Sequence, residues 1–221
     1  MPERSPIRAA VPLAALGLLV TGSLLTGCGA GREPAAPPAR TTDAATPAAP
    51  ATTPEESAAA VAAASLGGPG TACALPVSFS LAEDWEPKAV EMPADPDFAE
   101  LVKQGPATAV CEANAKATGN LGFLRVWSAP KGSARAALQA FVKAEEGSKG
   151  LALAEVGAGG APVVEARYTV HSELLDEDRD GRAFAVETAK STVVVELGGF
   201  DAEEDEMIAA YELARSSVRV R

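Results

Sequence analysis

The chain has 221 residues, a formal net charge of −11 and 5% aromatic residues. An acidic surface of this kind repels phosphate backbones and anionic lipid headgroups, which excludes nucleic acid and a peripheral basic-patch contact with membrane as partners. With one histidine and three cysteines, the chain has little material for a proton relay or a transition-metal site.

Arg4 and Arg8 lead into a mostly apolar run from Ala9 to Val20, after which small and polar residues reach Cys28. That order predicts a secretory signal peptide over residues 1–27. Pro12 and Gly17 interrupt the run, and it falls short of the roughly 20 apolar residues that a spanning helix needs. The stretch Leu25-Thr26-Gly27-Cys28 resembles the bacterial lipobox. The resemblance implies cleavage before Cys28, diacylglycerol on its thiol, and a new amino terminus acylated by a chain such as palmitate. Two or three acyl chains hold a protein on a bilayer stably, so the expected location is the extracytoplasmic face of the cell membrane.

Residues 28–71 are built from Ala, Pro, Thr and Gly with a few charges and no aromatic residue. Such a segment cannot bury enough apolar surface to offset its ordering entropy, which predicts a disordered linker reaching roughly 35 to 40 Å. Inside it, the alanines of "EESAAAVAAAS" and the acids before them give a short helix pattern. Every Trp, Tyr and Phe lies in residues 72–221, which are of ordinary size for one folded domain. If Cys28 is lipidated, Cys73 and Cys111 are left in an oxidising compartment. A disulfide between them and two separate buried thiols are the two readings.

Three helices are marked by their ends. Asp95 and Pro96 open the first, with Phe98, Leu101 and Val102 on one face and Gly105 beyond its end. Ser133 caps the second, which turns Leu138, Phe141 and Val142 inward and stops at Gly147. The third carries an Asp201/Glu204 capping-box pair and a stripe of Met207, Ala210, Tyr211, Ala214 and Val218. Strand alternation runs through Val77, Phe79 and Leu81, and through Val164, Ala166, Tyr168 and Val170. Further strands are predicted near 86–91, 108–113, 121–127, 183–189 and 192–197. Connections this short do not allow parallel crossovers. The fold class is therefore α+β, with an antiparallel sheet of six to seven strands packed against three helices.

This element order, the opening "FSLAEDW", the "RVW" strand and the closing "VVVELGGFDAEEDEMIAAYELARSS" together resemble small actinobacterial lipoproteins of the PsbP-like fold, the LpqN group among them. That group tends to open on Phe, then Pro and Gly, then Trp, whereas Ala82 and Asp84 stand before Trp85 here. The resemblance implies a non-catalytic binding or assembly module and supplies no catalytic residue.

Among possible sites, "DEDRDGRAFAVE" places Asp176, Asp178 and Asp180, a glycine, and Glu187 at the oxygen-ligand positions of an EF-hand calcium loop. The strand-like flanks favour instead an acidic hairpin bent at Asp180-Gly181. His171, the single histidine, falls on the polar face of a strand. The glycines of "VGAGGAP" read as a loop, the pairs Glu145-Glu146 and Glu203-Glu204 as solvated helix turns, and Trp85 and Trp127 as core or groove-lining residues. The expected function is a lipid-anchored, non-enzymatic module for an envelope protein or a small apolar ligand. The alternatives are a calcium-stabilised module and a hydrolase acting through His171.

Overall fold

In a computed structural model, the structure describes residues 59–158, 160–173 and 175–221. The expected signal peptide, Cys28 and residues 28–58 of the expected linker lie outside the described residues.

Three strands, β1 (Ala62–Leu66), β2 (Val77–Ala82) and β11 (Arg219–Val220), form a small sheet in the order β1-β2-β11. The main sheet contains β3 (Glu86–Ala89), β4 (Lys103–Gln104), β5 (Ala107–Asn114), β6 (Gly122–Pro130), β7 (Ser148–Ala158), β8 (Ala161–Ser172), β9 (Glu177–Glu187) and β10 (Ser191–Gly199). Its order is β3-β5-β6-β10-β9-β8-β7, with β4 beside β5, and the paired strands run antiparallel.

Alternation along the central strands divides the main sheet into two faces. Val193, Val195, Leu124, Val126, Phe184 and Val186 point to one side. There they meet the small sheet and helix α3 (Asp205–Ser217), which buries Met207, Ala210, Tyr211 and Ala214. Val194, Trp127, Ala183, Ala185, Ala166 and Tyr168 point to the other side, under helix α2 (Ala134–Lys143). The alanines there let α2 sit close to the sheet, and Phe141 meets Trp127 edge-on at 5.3 Å between ring centres.

A β-bulge in β5 fixes the faces of its neighbours. Ala109 pairs with Trp127 and Cys111 with Val126, which leaves Val110 as the extra residue. Before the bulge, Ala107 and Ala109 face α2; after it, Cys111 and Ala113 face the α3 side. Cys111 is thereby aimed at Cys73, and the two form a disulfide with Cα atoms 6.0 Å apart. Of the two cysteine readings, pairing is the one realised.

The α+β class is right in outline, with more strands and fewer full helices than the sequence predicts. The predicted first helix is a single turn, α1 (Pro96–Ala99), followed by a 3-10 turn over Glu100–Val102. The chain then enters β4, whose pairing with Thr108 and Ala107 takes the backbone hydrogen bonds that a longer helix would have used. Only Val102 of the predicted face packs on a core; Phe98 is 55% and Leu101 73% exposed.

The folded body also begins before residue 72. The alanine-rich segment supplies a strand, because pairing with β2 and full burial of Leu66 outweigh the few tenths of a kcal/mol per residue by which alanine favours helix. β7 is a further strand that its small residues conceal, and "VGAGGAP" forms the β7–β8 hairpin. At α2, Ser133 caps as expected, its hydroxyl accepting from the Ala136 amide. The capping box of α3 is absent: Glu204 is the N-cap without a side-chain bond, and the Asp201 carboxylate accepts instead from the Leu121 amide at 2.6 Å.

The disulfide closes a loop of 38 residues. Chain entropy then predicts that the Cys73→Ala/Cys111→Ala pair costs ~4 kcal/mol of unfolding free energy, to be measured by urea denaturation against the oxidised protein.

Candidate functional site

The face beneath α2 is covered over only part of its area. Past the helix, the same face opens into a groove of about 340 Å³, floored by β6, β10, β9 and β8 and reached by Gln104 of β4 and Glu145 after α2.

Register brings the floor together. Arg125 of β6 and Ala183 of β9 flank Glu196 of β10 in the ladder. On β9, Gly181 stands opposite Tyr168, and a Cβ there would collide with the tyrosine ring. On β10, a Cβ at Gly198 would come within 2.7 Å of the Phe123 ring. Glycine at these two positions lets aromatic rings lie flat on the sheet as walls of the groove.

Glu196 is the chemical centre. Its Oε2 accepts a hydrogen bond from Trp127 Nε1 at 3.1 Å, so an indole buried in the core under α2 reaches the groove through this bond. Burial, and then the negative Glu145, push the Glu196 carboxyl up to about 7 against the opposing effects of the Trp127 bond and Arg125. Burial also raises Glu145, against a hydrogen bond from Gln104, so this residue is not the solvated helix-turn acid that its position suggests. Tyr168 is held neutral, raised first by burial and then by Glu196 and Glu145.

The two arginines of the groove are already engaged. Arg125 donates through Nε and Nη2 to Glu112 Oε2, at 2.9 and 2.6 Å, and lies 4.4 Å from the Phe123 ring centre. Arg179 pairs with Glu177 at 2.7 Å and lies 5.3 Å from the centre of the Phe200 ring. Glu203 accepts from the Asp180 amide at 2.6 Å, which ties the turn before α3 to β9.

The residues of the expected calcium loop are spread out along β9. Asp176 is 98% exposed in the turn before the strand, with a positive φ of 52°. The bend therefore falls there, while Asp180 and Gly181 lie within the strand. Asp178 binds Lys149 at 2.7 Å and His171 Nδ1 at 3.0 Å, contacts that hold its carboxyl below the usual range, with Lys149 the larger cause. Glu187 stands at the far end of β9, roughly 30 Å from Asp178 at the rise of a strand. There its Oε1 accepts from the Ala134 amide at the start of α2. Among the described residues, no group of three or more His, Cys, Asp or Glu side chains is arranged to hold a metal.

His171 is half exposed, and its ion-pair partners are Asp178 and Asp176. Trp85 is core, on the α3 side. The residue that sequence reasoning missed is Glu196. Its signal was a lone carboxylate within "TVVVELGG", a strand otherwise dry on both faces.

A family model described as an uncharacterised lipoprotein matches residues 43–218. Among solved structures, the chain is similar to the crystal structure of LpqN, involved in cell envelope biogenesis of Mycobacterium tuberculosis. The identity is 14% over 65% of this chain and 82% of that one, with a TM-score of 0.35. No curated protein matches.

Because its raised pKa makes the folded state take up a proton, Glu196 contributes most to stability below the ordinary carboxylate range. That contribution is lost as pH rises to about 7. Glu196→Gln keeps the Trp127 bond and removes the titration. The variant should match wild type near pH 4.5 and exceed it by on the order of 2 kcal/mol at pH 8, read from denaturant melts across pH.

Proposed function

Since the chain belongs to this family of lipoproteins, we propose that it is a non-enzymatic binding module. It is tethered through lipidated Cys28 to the extracytoplasmic face of the cell membrane, and it takes a small ligand with an apolar body into the groove over Glu196. The observation that carries this reading is the half-buried Glu196 carboxyl beneath an open, aromatic-walled space of about 340 Å³. Clefts of this size, which combine aromatic walls with placed polar groups, are a usual form of small-molecule sites. The surroundings of His171 support a non-enzymatic role, because its polar partners are carboxylates and no hydroxyl or thiol pairs with its ring among the described residues.

A second reading is docking of an envelope protein. It is favoured by the exposure of Met92, Phe98 and Leu101 on one surface segment, since aromatic and large aliphatic anchors dominate binding hot spots.

Two measurements check these statements. Cys28→Ala should move the protein out of the membrane fraction or leave an unprocessed precursor; a fully membrane-retained, processed variant removes the tether. Mature protein purified from its own membrane should release a small molecule at near-stoichiometric amount on solvent extraction. The Phe123→Ala/Phe200→Ala variant should carry less than about half as much, since it loses two of the three aromatic residues that line the groove. Equal amounts from both, or none from either, would count against the groove.

A further inference from the structure

The side chains of the groove are specific about the charge of an occupant. Of the Glu196 carboxyl, Oε2 is taken by Trp127, while Oε1 makes no hydrogen bond among the described residues. Glu145, which faces the same space, makes no ion pair among the described residues, and its partner is the neutral Gln104. Asp180 and Glu203 add two more carboxylates to the lining. The two positive groups, Arg125 and Arg179, are each neutralised by an acid of their own, Glu112 and Glu177. An anionic ligand would have to break one of those pairs and would also meet uncompensated negative charge.

Resting on the binding role given above, we infer that the groove selects a small amphiphilic amine. Its ammonium sits between Glu196 Oε1 and the Glu145 carboxyl, and its apolar body lies against Phe123, Tyr168 and Phe200. The ammonium supplies Oε1 with a donor that no described side chain gives it, and it adds the countercharge that Glu145 lacks and that Arg125, shared with Glu112, gives Glu196 only in part. Aromatic walls suit such a ligand, because ring faces attract cations and the two arginines already exploit this.

The titration of Glu196 follows from the same geometry. The groups facing it are Glu145 from the end of α2, Tyr168 from β8, Arg125 from β6, Arg179 and Asp180 from β9, and Glu203 before α3. Binding an amine favours the ionised carboxyl, so affinity rises as pH climbs through about 7 while an alkylamine keeps its charge.

The test compares octylamine, octanol and octanoate, which share a tail and differ in head, by calorimetry on the mature chain at pH 8. Octylamine should bind at least about tenfold more tightly than the other two. Glu196→Gln, folded by its melt, should lose about that factor for octylamine and leave octanol unchanged. Octylamine affinity of wild type should fall on going from pH 8 to pH 6, and that of the variant, which keeps Glu145, should fall less.

Equal affinity for all three heads, or a preference for octanoate, overturns the amine inference. If Phe200→Ala then weakens all three, the groove itself stands. Failure of all three probes to bind also overturns the inference, and the extraction experiment above decides the groove separately. Tighter binding of Nα-acetyl-lysine methylamide than of octylamine assigns the seat to a lysine of a protein partner and overturns a small-molecule occupant.

Discussion

A helix of ten residues is about 15 Å long, and seven strands laid side by side span roughly 29 Å, so α2 cannot cover the sheet it packs on. The rest of the molecule follows from how the two parts of that face are finished. Under the helix the sheet shows Ala166, Ala183, Ala185 and Val194, small side chains that bring the helix down to van der Waals contact. Beyond the helix the same strands show Phe123, Arg125, Glu196 and Arg179, and the face becomes wet and charged. The opposite face is closed by α3 and the small sheet, and its buried carboxylate, Glu165 of β8, is met there by Arg215 of α3. A single sheet is thereby covered on one side and half covered on the other.

What keeps the uncovered half from being an aggregation surface is mutual neutralisation. Arg125 and Glu112 face each other across β5 and β6, and the guanidinium also shields the Phe123 ring from solvent. Arg179 does the same for Phe200 with help from Glu177. These pairs are partly exposed, and each contributes at most about 1 kcal/mol to stability. Their larger effect is on what may approach, since a committed arginine no longer offers itself to an anion. The β5 bulge is the geometric origin of the first pair. Without the extra residue Val110, Glu112 would point into the α3-side core and Cys111 away from Cys73. One inserted residue thus sets both the disulfide and one wall of the groove.

Where sequence pattern and tertiary environment agree, the elements are legible. β2 alternates strictly, and α2 and α3 carry their apolar stripes as residues 138, 141 and 142 and residues 207, 210, 211 and 214; β8 is a strand as expected, but Val163 to Ala166 are buried on both of its faces. Legibility fails where small residues carry no periodicity. β1 and β7 are strands by pairing alone, and an alanine run reads as helix until a neighbouring strand claims its amides. The first predicted helix fails for the opposite reason. Its apolar residues have the spacing but no surface to pack on, so Phe98 and Leu101 remain outside and the helix does not extend. Asp201 satisfies the capping pattern and is drawn off by the Leu121 amide, a partner 80 residues away that no local pattern reveals. Glu187 likewise completes a calcium-loop spacing in the sequence and caps a helix in the fold. The groove was legible only as an anomaly, the one carboxylate in a run of valines, because its other members come from β4, β6, β8 and β9.

Glu196 carries the cost of that anomaly. Valine at this position would fit the pattern of Val193 to Val195 and would need neither the Trp127 bond nor relief from Glu145. A carboxyl drawn partly out of water beside Glu145, with Trp127 as its one described donor, opposes folding whenever the group is ionised. Trp127 reinforces the point. Its ring is already fixed by Phe141, so its Nε1 hydrogen bond orients the carboxyl more than the carboxyl orients the ring. A local arrangement that lowers stability and holds an acceptor toward open space is the pattern of a site shaped for something outside the chain. The fold tolerates it because the opposite face, closed by α3 and stapled through Cys73 and Cys111, supplies the stability that the groove face gives up.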